Sequence, residues 1–522
     1  MKAPALIHIA APADRVRAVA RDALDAREAD GALVIGLQAE SGPTITLRVR
    51  DDAGRSAITV TTTGDSSVPF FGFLFRPLFR LSRRRAGQHA IDVLRHELEG
   101  APRPRAPRPV PGLPPVPFSD TQATLLATAS AATAIVSFAG ALFGQLNTQI
   151  SDTFGASNTQ ITVALAITRV GALLALVPTA LADRRGRRAS ILIGVVGSSV
   201  ACLASAAAPN LSLFTVAQTL QRGLLYTTAT VAAIAVIEEA PEGARAYAAS
   251  MLVLAGGLGF SLAVLVLPFG DLGNNGWRIP FVLGALSILL ARPIARALAE
   301  TSRYTALAAR ADIVRGRFRE IMDRRYGRRF ALLALTGFLT NMFSAPSSQL
   351  MNKYLEDVRG FSSSGVALFR TVTTAVPGLI GVLIGGRLAD VRGRRPVAAI
   401  GLAVATATQM VFFLMGGSII WVMSAASVFM AGAGGIALGT LDAELFATEV
   451  RSTSNALITV VGVIGSAVGF IVAGTLSDPL GNIGRSIALT GIGTLVAALL
   501  VVPRLPESGA RSLDEVSPTE PR

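Results

Sequence analysis

The stretch TALADRRGRR at residues 179–188 recurs as GRLADVRGRR at residues 386–395, and each copy lies between two long apolar runs. Asp183 corresponds to Asp390 and Gly186 corresponds to Gly393, with a separation of 207 residues in both pairs. A fixed interval between two matching motifs indicates that the chain contains two copies of one half.

Further pairs of positions support this duplication. At separations of 206 or 207 residues, Glu238 matches Glu444, Arg245 matches Arg451, Asn275 matches Asn482, Arg278 matches Arg485 and Glu300 matches Glu507. These registers agree independently along the chain. We therefore expect the two halves to share one fold.

The composition indicates a membrane protein. Of the 522 residues, 51% are hydrophobic and only 16% are charged, and the mean hydropathy is +0.53. That apolar content exceeds what a soluble globule of this size carries. The net charge is +14, arginines recur beside the long apolar runs, and Lys2 and Lys353 are the only lysines. This placement follows the positive-inside rule and argues against a nucleic-acid partner.

The residues offer little for catalysis or metal binding. Cys202 is the only cysteine, and His8, His89 and His96 all precede the membrane part. We find no phosphate-binding loop of the GxxxxGKS kind, so ATP-driven transport is not expected. We expect no enzyme activity, no catalytic residues, no metal site and no cofactor.

Residues 1–100 form a predicted cytoplasmic α+β domain, because they lack the apolar core of a cleavable signal and mix charge with short alternating stretches. We predict strands near residues 6–9, 33–37, 44–50 and 57–63, with helices near 14–24 and 87–99. The segment PFFGFLFRPLFRLSRRR at residues 69–85 has two interpretations. It is either a core strand followed by a solvated helix start, or a surface for membrane lipid.

Residues 101–118 are proline-rich and predict a stiff linker. The chain then divides into an N-terminal six-helix half at 119–299, a cytoplasmic central loop at 300–328, a C-terminal six-helix half at 329–504 and a cytoplasmic tail at 505–522. Twelve apolar segments are each long enough to cross about 30 Å of hydrocarbon. They lie near residues 122–146, 160–181, 189–208, 211–237, 246–268, 279–299, 329–351, 363–386, 397–416, 419–443, 454–476 and 486–503.

The loop arginines predict the orientation of these segments. One set of loops carries most of them, including those at 184–188, 310–325 and 392–395, whereas the opposite loops carry only Arg278, Lys353, Arg359 and Arg485. The basic loops are expected on the inner side. Both termini are therefore predicted to be cytoplasmic, in a multi-pass protein of the cytoplasmic (inner) cell membrane.

Residues 118–507 resemble the major facilitator superfamily. Members of this family carry GxLADRxGRR after the second and eighth helices, as both copies of the opening motif do here, although Thr179 replaces the first glycine. EEAPEGAR, ELFATEVRSTS and WRIPF resemble signatures of its sugar-porter and metabolite:proton symporter branches, with Ala447 in place of a proline. The resemblance implies an all-α membrane fold of twelve transmembrane helices in two six-helix repeats, and a small-molecule cavity between the halves.

The two loop motifs and the charged residues that accompany them predict a cytoplasmic gate. An aspartate can accept hydrogen bonds from arginines or from a helix N-terminus, and a glycine permits a tight turn. The alternative is that these loop charges only fix the orientation in the membrane. The predicted gate residues are Asp183, Gly186, Arg187, Arg188, Asp390, Gly393, Arg394, Arg395, Glu238, Arg245, Glu444 and Arg451.

Polar residues within the apolar segments are candidates for binding the substrate or coupling ion, because a charge inside the membrane is costly. They are Arg169, Arg222, Arg370, Gln145, Asn147, Asn341 and Gln349. The alternative for the arginines is a structural hydrogen bond to a carbonyl group, or a side chain that reaches out to the interface.

Together these features predict a secondary active transporter that moves a small organic solute by alternating access. The arginines within the spans favour an organic anion or related metabolite as the solute. The fifth helix lacks the GPxxGG signature that resembles that of drug/proton antiporters, which favours uptake, and the family resemblance implies coupling to protons. Two alternatives stay open: efflux of a drug or metabolite by proton antiport, and a membrane-anchored sensor acting through residues 1–100. We expect a monomer that contacts membrane lipid.

Overall fold

The computed structural model describes residues 5–29, 32–36, 44–52, 55–63, 69–105, 110, 113, 114, 116, 118–174, 186–241, 244–298, 324–445 and 448–507. Internal contacts divide the chain into two compact units. The first comprises residues 1–131, 232–255 and 293–305, and the second comprises residues 132–231, 256–292 and 306–522.

The N-terminal part of the first unit is an α+β domain, as the sequence predicts. Its elements are β1 Ala5–Ile9, α1 Ala13–Leu24, β2 Arg27–Ala29, β3 Ala32–Gly36, β4 Thr44–Asp52, β5 Arg55–Thr63 and α2 Gly72–Glu99. The strands form one antiparallel sheet in the order β1-β5-β4-β3-β2. Alternation along β4 buries Ile45 and Leu47 and exposes Arg48 and Arg50. The buried face packs on α1 and α2 through residues such as Val16 and Leu94.

Helix α2 is longer than the sequence predicts, since it begins at Gly72 rather than near residue 87. The strand interpretation of residues 69–85 is wrong for 72–85, which are helical. The physical reason is visible in the sequence: this segment has no β-branched residue, and Pro77, which the helix accommodates in its interior, would also interrupt a strand ladder.

Most of the remaining helices correspond to the predicted membrane segments, here numbered as spans 1 to 12, while short helices at Asn147–Phe154, Leu267–Asp271, Met351–Lys353 and Tyr354–Val358 lie between spans. Span 1 is Asp120–Gln145, span 2 Asn158–Leu174, span 3 Arg187–Ala206, span 4 Leu211–Glu239, span 5 Arg245–Leu265, span 6 Arg278–Ala297 in three pieces, span 7 Arg324–Gln349, span 8 Ser363–Arg392 in three pieces, span 9 Arg394–Leu414, span 10 Ile419–Glu444, span 11 Thr448–Thr475 and span 12 Ile483–Val501 in two pieces. Eleven described helices are long and apolar enough to cross a membrane. Span 2 is not among them, because its described part ends at Leu174 and has only 17 residues, and residues 175–185 lie outside the described residues.

Each half contains a cluster of aromatic rings, and the two clusters share one repeat position. In the N-terminal half, Phe214 packs edge-to-face on Phe143 and Trp277, with ring centroids 4.9 and 5.7 Å apart. In the C-terminal half, Phe369 packs on Trp421 at 4.6 Å. Phe214 and Trp421 are 207 residues apart in the sequence. Both halves therefore place an aromatic ring at the same repeat position, in a buried cluster.

Small residues let helices of the C-terminal half approach closely. A Cβ atom added to Gly401 would lie 2.6 Å from the Cα of Gly434, and one added to Gly385 would lie 2.2 Å from the Cα of Ala433. Spans 8 and 9 therefore both pack closely on span 10. Close backbone contact of this kind is a common basis of helix association in membranes, where hydrophobic burial supplies no driving force.

Candidate functional site

The two motif loops end in the same backbone conformation. Gly186 has φ 93° and ψ 153° and precedes span 3, whereas Gly393 has φ 95° and ψ 149° and precedes span 9. This region of backbone space is open essentially only to glycine. The glycines of the predicted gate thus start equivalent helices in the two halves.

Glu507 caps the helix that follows the second motif. Its Oε1 accepts a hydrogen bond from the backbone N–H of Arg394 at 2.9 Å, and its Oε2 accepts one from Arg395 at 3.1 Å. A carboxylate at this position satisfies two backbone donors and interacts favourably with the helix dipole. The repeat register identifies Glu507 but not this role, and its counterpart Glu300 lies outside the described residues.

The other predicted gate residues are only partly described. Arg187 and Arg188 lie in the first turn of span 3, Glu238 lies in the last turn of span 4, and Arg245 is exposed at the start of span 5. Asp183 lies outside the described residues, as do the side chains of Asp390, Glu444 and Arg451. Ion pairing between these motifs therefore stays a prediction.

At the opposite ends of the helices, hydrogen bonds join the two halves directly. Asn352 donates to the backbone oxygen and to Oε1 of Gln145, at 2.7 and 2.9 Å. Gln149 donates to both carboxylate oxygens of Glu356, at 3.0 and 3.2 Å. In each pair the partners are 207 residues apart, so each contact joins equivalent positions of the repeat. Equivalent positions can meet only where the axis relating the two halves passes between them.

Further bonds close the same end. Asn147 donates to the backbone oxygen of Gln349 at 2.6 Å, and Lys353 donates to Ser151 at 2.9 Å. On the neighbouring helices, Asp271 accepts bonds from the backbone N–H groups of Ser363 and Ser364, at 3.1 and 3.2 Å. We call residues 145–151, 271, 349–356, 363 and 364 the seam. It holds the halves together at the end opposite the motif loops.

Three predicted substrate residues belong to this seam. Gln145, Asn147 and Gln349 each use a polar group in contacts between the halves. Asn341 instead donates to Gly337 of its own helix at 2.9 Å and lies against Gly462 of span 11. A role in binding substrate stays a prediction for all four.

Arg169 lies eleven residues after Asn158, the first residue of span 2 at the seam end. At about 1.5 Å per residue, this corresponds to a depth of about 17 Å along the helix. It is 7% exposed, its guanidinium carbon lies 5.0 Å from the ring centre of Phe470, and Tyr226 hydrogen-bonds its side chain. Its Nε and Nη2 atoms have no hydrogen-bond partner among the described residues. Arg222 lies on span 4 at the same estimated depth, close enough for the two charges to repel.

Arg370 lies on span 8, just before a π-helical segment. Its Nη1 donates to the backbone oxygen of Ser348 at 3.1 Å and to Oδ1 of Asn352 at 2.9 Å, while its Nε has no partner among the described residues. One nitrogen of this guanidinium therefore makes a structural hydrogen bond to a carbonyl group, which is the alternative to a role in binding substrate. Its carbon also lies 5.7 Å from the ring centre of Phe260.

Two stacked arginines lie on equivalent spans, although they do not occupy equivalent positions of the 207-residue repeat. Arg169 of span 2 lies over Phe470 of span 11, and Arg370 of span 8 lies over Phe260 of span 5. Spans 2 and 8 are equivalent, as are spans 5 and 11, so each half presents an arginine to an aromatic ring of the other half. A narrow recess that includes Arg222 is lined by Gly140, Phe143, Gly144, Leu165, Thr168, Gln218, Gln221, Arg222 and Gln349.

Glu356 is a functional candidate that sequence reasoning missed. Burial raises the pKa of this carboxyl group above its ordinary value, and hydrogen bonds from Thr148, Gln149 and Ser363 offset that effect only in part. The residue follows the predicted end of span 7, in a loop whose basic residues, but not its acids, bear on the predicted orientation. Extending the 207-residue register to Gln149 would have paired the two positions.

Comparisons with known proteins agree with this architecture. The family model for the Major Facilitator Superfamily matches residues 129–469. The alpha-ketoglutarate permease of Escherichia coli (strain K12) is 30% identical over 236 residues, covering 41% of this chain and 52% of the permease. The chain thus matches about half the length of that relative.

Solved structures share the fold at low sequence identity. A bacterial homolog of the human lysosomal transporter Spinster, inward-facing and unoccupied, is 18% identical with a TM-score of 0.62, covering 74% of this chain and 97% of its own. The inward-open xylose transporter XylE from E. coli is 16% identical with a TM-score of 0.61, covering 76% and 99%. The extent of the family match and the duplicated helical halves lead to one conclusion: this chain belongs to the Major Facilitator Superfamily and is a membrane transporter, not an enzyme.

Proposed function

We propose that this transporter takes up a small organic anion together with protons. The observation that carries the proposal is the pair Arg169 and Arg222, two neighbouring guanidinium groups deep within the helices. An arginine at the centre of a membrane span costs about 2.5–3.5 kcal/mol on insertion scales. Arg169 adds two buried donor atoms without partners among the described residues. A carboxylate would offset the repulsion and accept hydrogen bonds from both groups.

Arg370 extends this proposal to a solute with two acidic groups. It lies on span 8, in the half opposite Arg169 and Arg222, about 10 Å along its helix from the seam end. A dicarboxylate held by arginines of both halves would link binding to the movement of one half against the other. The name of the relative alpha-ketoglutarate permease supports this class of substrate.

The seam supports alternating access. Its bonds close one end of the paired halves, while the arginine-rich motif loops lie at the other end. With those loops on the inner side, as positive-inside bias predicts, the seam is the outer gate and the conformation described here faces inward. Opening toward the outside would break the seam and close the motif loops against each other.

Glu356 supports coupling to protons. It is an acid on the repeat axis whose ionised form is disfavoured by burial while the seam is closed. Opening the seam would hydrate the carboxyl group and change its proton affinity. Proton binding and gate position are therefore linked through this residue.

The test is solute uptake into proteoliposomes under an imposed pH gradient. Labelled 2-oxoglutarate, succinate, xylose and a cationic dye should separate the substrate classes, and we expect uptake of the dicarboxylates when the outside is acidic. Arg169→Gln and Arg222→Gln should lower uptake at least tenfold, the loss of about 1.4 kcal/mol or more expected for a charged hydrogen bond.

The matched control is Arg485→Gln, because Arg485 is exposed, bonds the loop oxygen of Leu480 at the seam end and is not among the residues that line the recess. It should keep uptake within about twofold, as expected for an exposed charge. Transport of xylose or dye with no response to dicarboxylate would contradict the proposed substrate. Export driven by an acidic outside would contradict the proposed direction.

A further inference from the structure

The first half of helix α2 exposes one mixed face. Phe73, Arg76, Pro77, Arg80, Leu81 and Arg84 are all exposed, with Phe73 at 68% and Leu81 at 39%. Their spacing of three or four residues places them on one side of the helix. We call these six residues the aromatic–arginine face.

This face does not serve the domain core. The residues that α2 contributes to the core cluster are Ala90, Ile91 and Leu94, with Ala86 and Leu98 packed beside them. All of them lie in the second half of the helix. On the flank of the first half, Phe75 and Phe79 contact each other with ring centres 6.2 Å apart. Exposed apolar side chains that share one helix face with charged groups are informative, because a contiguous apolar patch rimmed by polar residues marks a contact surface.

The charge around the face has one sign. Residues 66–91 contain five arginines, at 76, 80, 83, 84 and 85, and no aspartate or glutamate. Apolar side chains interspersed with guanidinium groups match the boundary of an anionic bilayer, where rings enter the acyl edge and arginines meet phosphates. A soluble anion would use the arginines but would leave Phe73 and Leu81 in water.

The chain also keeps this domain near a bilayer. Helix α2 ends at Gly100, in the left-handed conformation, and span 1 begins at Asp120. The residues between them number nineteen, and at about 3.1 Å per residue, the rise of a polyproline II helix, they reach roughly 60 Å. A weak surface contact is strengthened by such a tether, because the local lipid concentration stays high.

We propose that the aromatic–arginine face binds anionic phospholipid headgroups of the bilayer that holds the protein's own spans. Phe73 and Leu81 enter the interface, and Arg76, Arg80 and Arg84 contact lipid phosphates. The domain is thereby held against the membrane surface. This inference does not depend on which solute the transporter carries.

The test uses the full-length protein in nanodiscs of phosphatidylcholine alone, or of phosphatidylcholine and phosphatidylglycerol at three to one. Cys202 is buried and is replaced by alanine, and a nitrobenzoxadiazole label is attached at Leu81→Cys. The matched control label is Asp14→Cys on α1, whose side chain is 98% exposed in the same domain. Quenching by lipid with a doxyl group near the headgroup measures contact with the bilayer.

We expect doxyl lipid to quench the label at position 81 in the anionic discs and to leave the label at position 14 unchanged. The triple variant R76Q/R80Q/R84Q should weaken this contact by about fivefold for each arginine removed, and added salt should weaken it as well. Equal quenching at positions 81 and 14 would overturn the proposal. Quenching that is the same in both disc types and in the triple variant would overturn recognition of the anionic headgroup.

Related measurements on the same protein distinguish two other ligands of the aromatic–arginine face. Disulfide cross-linking between two Leu81→Cys chains in one disc would assign the face to a second copy of the protein. Displacement of the lipid contact by a single-stranded oligonucleotide would assign it to nucleic acid. Either result would overturn the proposal. A circular dichroism spectrum like that of the parent protein checks that the triple variant is folded.

Discussion

Gln149 donates a hydrogen bond of 3.0 Å to Glu356, and the two residues occupy the same position in the two halves of the chain, 207 residues apart. The axis of the repeat therefore passes between an amide and a carboxyl group. The halves are equivalent in fold but differ in charge at this point. That difference places a titratable group at the contact that must break when the seam opens.

The first prediction concerns pH. Burial raises the pKa of Glu356 while the seam is closed, so the closed seam prefers the neutral acid. The closed form should therefore be most favoured at low pH and should lose population as pH rises from the ordinary carboxyl range through the raised pKa. Charged groups on the elements around Glu356 are Lys353, Asp357, Arg359, Asp152, Asp271, Arg370 and Arg485.

Spin labels at Leu272→Cys and Pro479→Cys, both exposed and on opposite halves at the seam end, measure this opening in a Cys202→Ala background. We expect the long-distance population to grow with pH in the parent protein. In Glu356→Gln the side chain cannot ionise, so the distribution should be independent of pH over the same range. A pH response that persists unchanged in Glu356→Gln would exclude this residue as the sensor.

A second prediction concerns Asn352, which links Arg370 to Gln145 across the seam. Asn352→Ala would leave a buried guanidinium and a buried amide with fewer partners, at a cost of about 1–3 kcal/mol. We expect a lower melting temperature and a larger open population between the same two labels. Thr475→Ala is the control, since that exposed hydroxyl bonds only within its own helix, and it should change neither quantity.

A third prediction concerns the motif glycines. Gly186→Ala and Gly393→Ala force a side chain into backbone space that glycine alone occupies readily, at about 1–3 kcal/mol each. In Gly393→Ala the new Cβ would also lie 3.1 Å from Oε2 of Glu507, so this variant should disturb the cap of span 9 as well. Gly257→Ala is the control, as its added Cβ meets no atom within 4 Å. Melting curves of the three variants give the comparison, and equal curves would remove the strain argument.

A fourth prediction concerns Glu507. Removing a capping side chain costs about 0.5–2 kcal/mol, so Glu507→Ala should destabilise the start of span 9 and slow transport. Glu507→Gln keeps one acceptor oxygen but loses the charge, and we expect an intermediate effect. Hydrogen exchange of the Arg394 and Arg395 amides reports on the cap. Unchanged protection in Glu507→Ala would show that the cap does not hold this helix end.

The register of the repeat predicted more than the positions of the spans. It placed Gly186 and Gly393 at equivalent helix starts, and their backbone angles agree within a few degrees. Hydropathy located the membrane segments because about 20 apolar residues are required to cross the hydrocarbon layer. The early start of α2 was not predicted, since Pro77 and the arginines obscured the helical pattern.

The site was predicted less completely, for a physical reason. Gln145, Asn147 and Gln349 were recognised as polar residues near helix ends, but periodicity does not say whether such a residue faces a solute or the opposite half. Glu356 was missed because its burial depends on contacts with Gln149 and Ser363, which are distant in the sequence. Pairing equivalent positions of the repeat is the sequence signal that identifies contacts on the axis.

The most direct test of rocking halves is a pair of distances measured on the same protein, one at each end. Labels at Leu272→Cys and Pro479→Cys report on the seam, and labels at Ala189→Cys and Arg328→Cys report on the ends near the motif loops. As 2-oxoglutarate and pH shift the populations, the distance at one end should lengthen while the distance at the other shortens. Two distances that change in the same sense, or that respond independently, would contradict alternating access by two equivalent halves.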